Sequence, residues 1–272
     1  MFQLLNVIFS NLKFYDNDFI IQLLNYYRNK EEVSIIDLNQ QISNIKYKIL
    51  INRKYIYDNI SIYLSNECKK ININIYIIKY LIDLGADINK IDKDGETPLF
   101  KACKRGNITA VKYLVKHGED INKVNKYKET PLFIACEYGN EAGVKYLVEH
   151  GADINKENKY KETPLFNACK SESESIVKYL VEHGANINKE NKNNETPLFS
   201  ACKSGNKAIV KYLVDHGVNI NISSGSETSL FDARKNGNEA IVKYLIEHVG
   251  SINKETPVFD AFSSGNKAII KC

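Results

Sequence analysis

The side chains best suited to chemistry in this chain are cysteine and histidine, and both recur at a nearly fixed step. The 272-residue sequence carries six Cys and five His. Cys103, Cys136, Cys169 and Cys202 follow one another at intervals of 33 residues. His117, His150, His183, His216 and His248 form a second series. Residues of these types could make disulfides, hold zinc or act as nucleophile and base. A disulfide needs Cα atoms within about 7 Å, whereas packed helices lie about 8–10 Å apart. Neighbouring cysteines of the series are therefore too far apart to bridge. No Cys-x-x-Cys occurs, so a zinc site lacks its usual ligand pair. The four read instead as small buried thiols, with Cys68 and Cys272 outside the series and open to exposure.

Other signatures of catalysis are missing. There is no phosphate-cradling Gly-x-x-x-x-Gly-Lys, no His-Glu-x-x-His and no Gly-x-Ser-x-Gly. A catalytic site needs a unique constellation, and the polar residues here recur with the period. The expectation is a protein that is not an enzyme, with no catalytic residues, no cofactor and no metal.

The elements behind this period are legible. Glu96-Thr97-Pro98-Leu99-Phe100 returns at Glu129–Phe133, Glu162–Phe166 and Glu195–Phe199. Thr97 is placed to cap a helix through its hydroxyl, and Pro98 suits the first helical position. Leu99, Ala102 and Cys103 share one helical face. Gly106 and Asn107 stop that helix and allow a tight turn. Val111, Leu114 and Val115 form the stripe of a second helix, which Gly118 ends in a left-handed conformation. The run Val111–Gly118 recurs at Val144–Gly151, Val177–Gly184 and Val210–Gly217, each followed by a step such as Asp153-Ile154-Asn155. A fixed period of this size means stacked units that bury their apolar faces against one another.

These motifs closely resemble the ankyrin repeat: Thr163-Pro164-Leu165, Ala168-Cys169 and Gly151-Ala152-Asp153-Ile154-Asn155 carry the resemblance. It implies an all-α, ankyrin-type helix-turn-helix repeat solenoid of six to seven repeats with short β-hairpin connectors. It also implies that each imidazole hydrogen-bonds to backbone near the end of the second helix, where a positive charge is favoured as well. The chain departs from the family pattern in three ways. Phe100, Phe133, Phe166, Phe199, Phe231 and Phe259 stand where the family has His, replacing a polar ladder with an aromatic one that adds apolar burial. Only Asp94-Gly95 keeps the family's hairpin tip. Tyr127-Lys128, Tyr160-Lys161 and Asn193-Asn194 replace it, which predicts looser tips or another turn type. The start Glu227-Thr228-Ser229-Leu230-Phe231 lacks Pro, and Glu255-Thr256-Pro257-Val258-Phe259 arrives too early for a full connector.

The organisation expected is a diverged helical segment over 1–60 and a repeat array over 61–272, with clear repeats at about 92–249. Phe19 to Tyr27 and Ile42 to Leu50 suggest helices in the first segment. Ile78 to Asn89 matches the back half of an earlier repeat, whose first helix is expected near Ile62 to Lys70. The array stops inside a unit, at Gly265 to Cys272. The net charge is +4, from 37 Lys and Arg against 33 Asp and Glu, and both signs are interspersed. Lys112, Lys145, Lys178, Lys211 and Lys243 recur beside Glu149, Glu182 and Glu247, which reads as a solvated face and not a nucleic-acid track. No apolar run approaches the roughly 20 residues of a membrane helix. The start lacks a basic leader and a cleavage site, so a cytoplasmic protein is expected.

The resemblance implies a protein-interaction scaffold or adaptor that holds a protein partner along the concave groove of the stack. Carried over by position, the partner-binding residues are Lys104, Arg105, Tyr127, Glu137, Tyr138, Tyr160, Lys170 and Lys203. Tyr and Arg are favoured interface anchors. The alternatives are a self-associating structural protein, a homo-oligomer formed through the C-terminal edge, or a fragment whose repeats regulate another domain.

Overall fold

A computed structural model describes residues 53–70, 75–224 and 227–249. The expected helices within 1–52, Phe259, Cys272 and the C-terminal edge lie outside the described residues. The chain forms two compact units, one ending at Asp120 and the other beginning at Ile121.

In the first unit, α1 (Arg53–Cys68) precedes α2 (Ile75–Asp83), and α3 (Pro98–Lys104) precedes α4 (Ile108–Lys116). Helix α1 packs on α2 and α3, and α2 packs on α4. It starts well before Ile62, so the earliest repeat has a longer first helix than the later ones, and residue 60 falls inside it. In the second unit the pairs are α5 (Pro131–Glu137) with α6 (Glu141–Glu149), α7 (Pro164–Lys170) with α8 (Glu174–Glu182), α9 (Pro197–Ser204) with α10 (Lys207–Asp215), and α11 (Ser229–Lys235) with α12 (Glu239–Val249). Successive first helices α5, α7, α9 and α11 pack in one row, and successive second helices in another.

The first helices are nearly engulfed. Six of the seven residues of α5, Pro131 to Cys136, are buried, and α7 repeats this from Pro164 to Cys169. Phe133, Phe166 and Phe199 are fully or almost fully buried, each worth about 1.5–3 kcal/mol of apolar transfer. Phe231 departs from the expected ladder, at 38% exposed. On the second helices the buried stripe is Ala110, Val111 and Leu114; Val115 lies only half-buried. Cys68 is buried like the ladder thiols, which corrects its expected exposure.

The cap chemistry differs from the sequence reading at one point. Thr97, Thr130, Thr163 and Thr196 sit at the N-cap in extended conformation, yet none makes a side-chain cap bond. In two of these starts the Phe166 and Phe199 N–H groups donate to the Thr163 and Thr196 carbonyls at 3.0 and 2.9 Å. The hydroxyls of Thr130, Thr163 and Thr196 are left buried without a hydrogen-bond partner. Thr228, followed by Ser229, does cap: its Oγ1 accepts from the Phe231 N–H at 3.2 Å.

The second helices end as expected. Gly151 takes φ 92°, its N–H donates to Val148 O at 3.1 Å, and the Ala152 N–H donates to Leu147 O at 2.9 Å. This pair of bonds is a Schellman cap. Asn107 and Asn140 then do more than turn the chain: each Oδ1 caps the following helix, accepting from Ala110 and Gly143 N–H at 3.0 and 2.9 Å.

Candidate functional site

Consecutive repeats are fastened by one asparagine each. Asn155 Nδ2 donates to Gly184 O at 2.9 Å, and its Oδ1 accepts from the Asn186 N–H at 2.8 Å. Asn122 does the same to Gly151 and Asp153, and Asn188 to Gly217 and Asn219. In the first unit Asn89 bonds Gly118 O and the Asp120 N–H. An amide side chain is suited to this because it offers donor and acceptor together.

The tips are built by a second set of polar side chains. Asn158 Oδ1 accepts from the N–H groups of Tyr160 and Glu162 at 2.8 and 3.0 Å. Its Nδ2 donates to Glu162 Oε2 at 3.1 Å. Asn125 and Asn191 repeat the pattern around Tyr127 and Asn193, and Asp92 accepts the two N–H bonds at the first tip. The Lys161 N–H donates to Asn158 O at 3.0 Å and the Gly95 N–H to Asp92 O at 3.0 Å. The tips without Asp-Gly thus make the same turn as the one that has it, neither looser nor of another type. The reason is that the Asn side chain, not glycine, organises the loop. Tip-to-tip bonds tighten them further: Lys159 N–H donates to Tyr127 O at 2.8 Å, and Lys192 N–H to Tyr160 O at 2.9 Å. Among the described residues only the connector from Ser223 to Thr228 forms a strand pair.

On the second helices, every described His stacks on the Tyr four residues earlier, with centroids 3.8–4.0 Å apart. Each Nδ1 donates to the carbonyl of that same Tyr at 2.7–2.8 Å. The carbonyl only accepts, so Nδ1 carries the proton. The imidazoles thus make the backbone bond near the helix end that the resemblance implied. Lys145 and Lys178 pair with Glu141 and Glu174 at 2.7 and 2.6 Å, not with the glutamates of the last turn. Burial pushes the thiols of Cys68, Cys136, Cys169 and Cys202 well above their ordinary pKa, which keeps them protonated and unreactive.

All eight residues singled out from sequence are exposed. Because the first helices are engulfed, their accessible positions are confined to the C-terminal ends. Lys104 and Arg105 occupy that place in the first unit; Glu137, Tyr138, Lys170 and Lys203 occupy it in the second. Lys170 and Lys203 are tied to Glu162 and Glu195 at 2.8 and 2.7 Å. Tyr127, Tyr138 and Tyr160 expose 39, 47 and 48% of their surface. Lys159 joins two of them: its Nζ lies 5.5 Å from the Tyr127 centroid and 5.8 Å from that of Tyr160. Lys159 is one of the tip positions that the resemblance implies, but its reach to two rings depends on which ring the stacking brings to it.

The profile of ankyrin repeats (three copies) matches residues 67–158 and 156–224, more than half of the chain. The chain belongs to the ankyrin repeat family. No curated protein matches it. Ankyrin repeats are generally protein–protein interaction modules. No described helix of this ankyrin repeat protein is long and apolar enough to cross a membrane.

Proposed function

We propose that this ankyrin repeat protein is a non-enzymatic scaffold or adaptor, and that its second unit holds a protein partner across the hairpin tips and the C-terminal ends of the first helices. The observation that carries this reading is the set of half-exposed tyrosines, Tyr127, Tyr138 and Tyr160, on a frame whose own polar groups are occupied by one another. Rigid aromatic side chains on a pre-organised surface lose little entropy on binding. Lys104 and Arg105 extend the reading to the equivalent place in the first unit. The recurrence of His, Cys and Asn in structural roles supports a non-catalytic chain.

Affinity capture from native cell extract, read by mass spectrometry, tests the proposal. The full chain runs beside a variant with Tyr127, Tyr138 and Tyr160 changed to Ala. A partner retained by the native chain and lost by the variant is the expected result. Equal capture by both overturns this placement of the surface.

A further inference from the structure

The tips of the second unit carry a conformational cost that their sequence could have avoided. Lys128 and Lys161 both adopt φ 62°, in the left-handed region. The chain itself places Gly95 at that register in the first tip and Asn194 in the fourth, at φ 77° and 60°. Glycine and asparagine tolerate this conformation far better than lysine does. A side chain kept where backbone alone would choose another residue points to a use for that side chain.

Among the described residues the lysines at these tips outnumber the carboxylates near them that form no ion pair, of which Glu129 is the nearest in sequence. Glu162 and Glu195 are each held by an Asn amide and a lysine of the adjoining helix. Glu129 accepts from Asn125. Among the described residues Lys128, Lys159, Lys161 and Lys192 form no ion pair, whereas Lys145, Lys170, Lys178, Lys189 and Lys203 each do. Glu162 and Glu195 are thus paired behind the tips, Glu129 keeps its charge, Glu157 lies within electrostatic reach of Lys161, and the tip lysines are exposed. The Tyr127 ring has Lys126 Nζ at 5.0 Å and Lys159 Nζ at 5.5 Å. Nucleobases bind by stacking on open aromatic faces, and here ammonium groups occupy that space.

We infer that the tip strip Lys126 to Lys192 takes an acidic, extended peptide segment of a protein partner, its carboxylates meeting Lys128, Lys159, Lys161 and Lys192. The inference rests on the scaffold reading and names the chemistry of its partner. Backbone hydrogen bonds hold consecutive tips side by side, and an extended chain can reach their lysines with alternate side chains.

Fluorescence anisotropy of the full chain tests this. The probe is a labelled peptide of alternating glutamate and serine, with the glutamine–serine peptide and oligo(dT) as comparisons. The expected result is salt-sensitive binding of the acidic peptide, weakened about tenfold by Lys128→Asn with Lys161→Asn. These substitutions should also raise the thermal midpoint, because Asn relieves the backbone; loss of affinity with gained stability separates a recognition role from unfolding. Lys145→Gln with Lys178→Gln, on the second helices, should leave affinity unchanged. Absent binding of the acidic peptide overturns the inference, as does equal binding of the neutral one, tighter binding of oligo(dT), or an equal loss from the helix variants. If the acidic peptide fails while capture of a partner still depends on Tyr127, Tyr138 and Tyr160, the scaffold reading stands and only the acidic chemistry falls.

Discussion

Glu119 provides the sharpest test of the energetics. It occupies the register held by Ala86, Ala152, Ala185 and Val218, and it is just as buried, at 4% exposure. Its Oε1 accepts from the Leu99 N–H at 2.9 Å, while Oε2 has no hydrogen-bond partner. Burial pushes its pKa up to about 8, against the pull of the Thr97 hydroxyl and the Leu99 N–H, and Asp120 and Asp87 add to the rise. A rise from 4.5 to about 8, at 1.36 kcal/mol per unit, is on the order of 5 kcal/mol. The folded state binds the proton more tightly than the unfolded chain, so its contribution is fully present below about pH 4.5. It is lost progressively as pH rises to about 8, and the curve is flat beyond.

Glu119→Gln keeps an acceptor for Leu99 and removes the ionisation. Urea unfolding of both proteins, from pH 5 to 9, should show native stability falling relative to the variant by most of that amount. Groups common to the two chains cancel in the difference. Repeat arrays can unfold in parts, so amide exchange at Leu99 and along α4 should report the same divergence locally. Parallel pH curves for the two proteins would refute the buried, unpaired carboxyl.

Three further outcomes follow from the local geometry. Asn155→Ala removes two inter-repeat hydrogen bonds and should cost about 1–3 kcal/mol, with faster exchange of the Asn186 amide as the direct readout. Glu172 stands at φ 60° where other repeats have glycine, and Ser173 makes no cap bond; Glu172→Gly with Ser173→Asn should raise stability by about 1–2 kcal/mol in thermal unfolding. Thr163→Val deletes a buried hydroxyl without a partner and should be neutral or stabilising by up to about 1 kcal/mol, whereas Thr228→Val removes a working cap and should destabilise by about 1 kcal/mol.

Much of this was legible in the residues. Thr-Pro-Leu starts, Gly stops and apolar stripes are local signals, and the second helices and their glycine caps fall where those signals put them. Local rules failed where two groups compete for one partner. The threonine hydroxyl is a good cap in isolation, yet in the Thr163 and Thr196 starts the carbonyl takes the Phe N–H instead. Three tips lack the Asp-Gly signal, which predicts a looser loop, whereas Asn158 holds the turn by side-chain bonds. The exposed lysines at 170 and 203 could not be told from free ones, because their partners Glu162 and Glu195 lie eight residues away.

The sequence by itself determined the unit: its length, its two helices, its caps and the apolar faces that make units stack. These depend on interactions within a few residues and on a period repeated until it is unmistakable. Only the tertiary structure decided what the stacking brings together. The Asn staples span about one repeat, Lys159 reaches two rings on different tips, and Glu119 loses its water where its counterparts are alanine or valine. The staples and the reach of Lys159 are distances set by a neighbouring repeat, and the burial of Glu119 is set by the packing around it; spacing along the chain encodes neither.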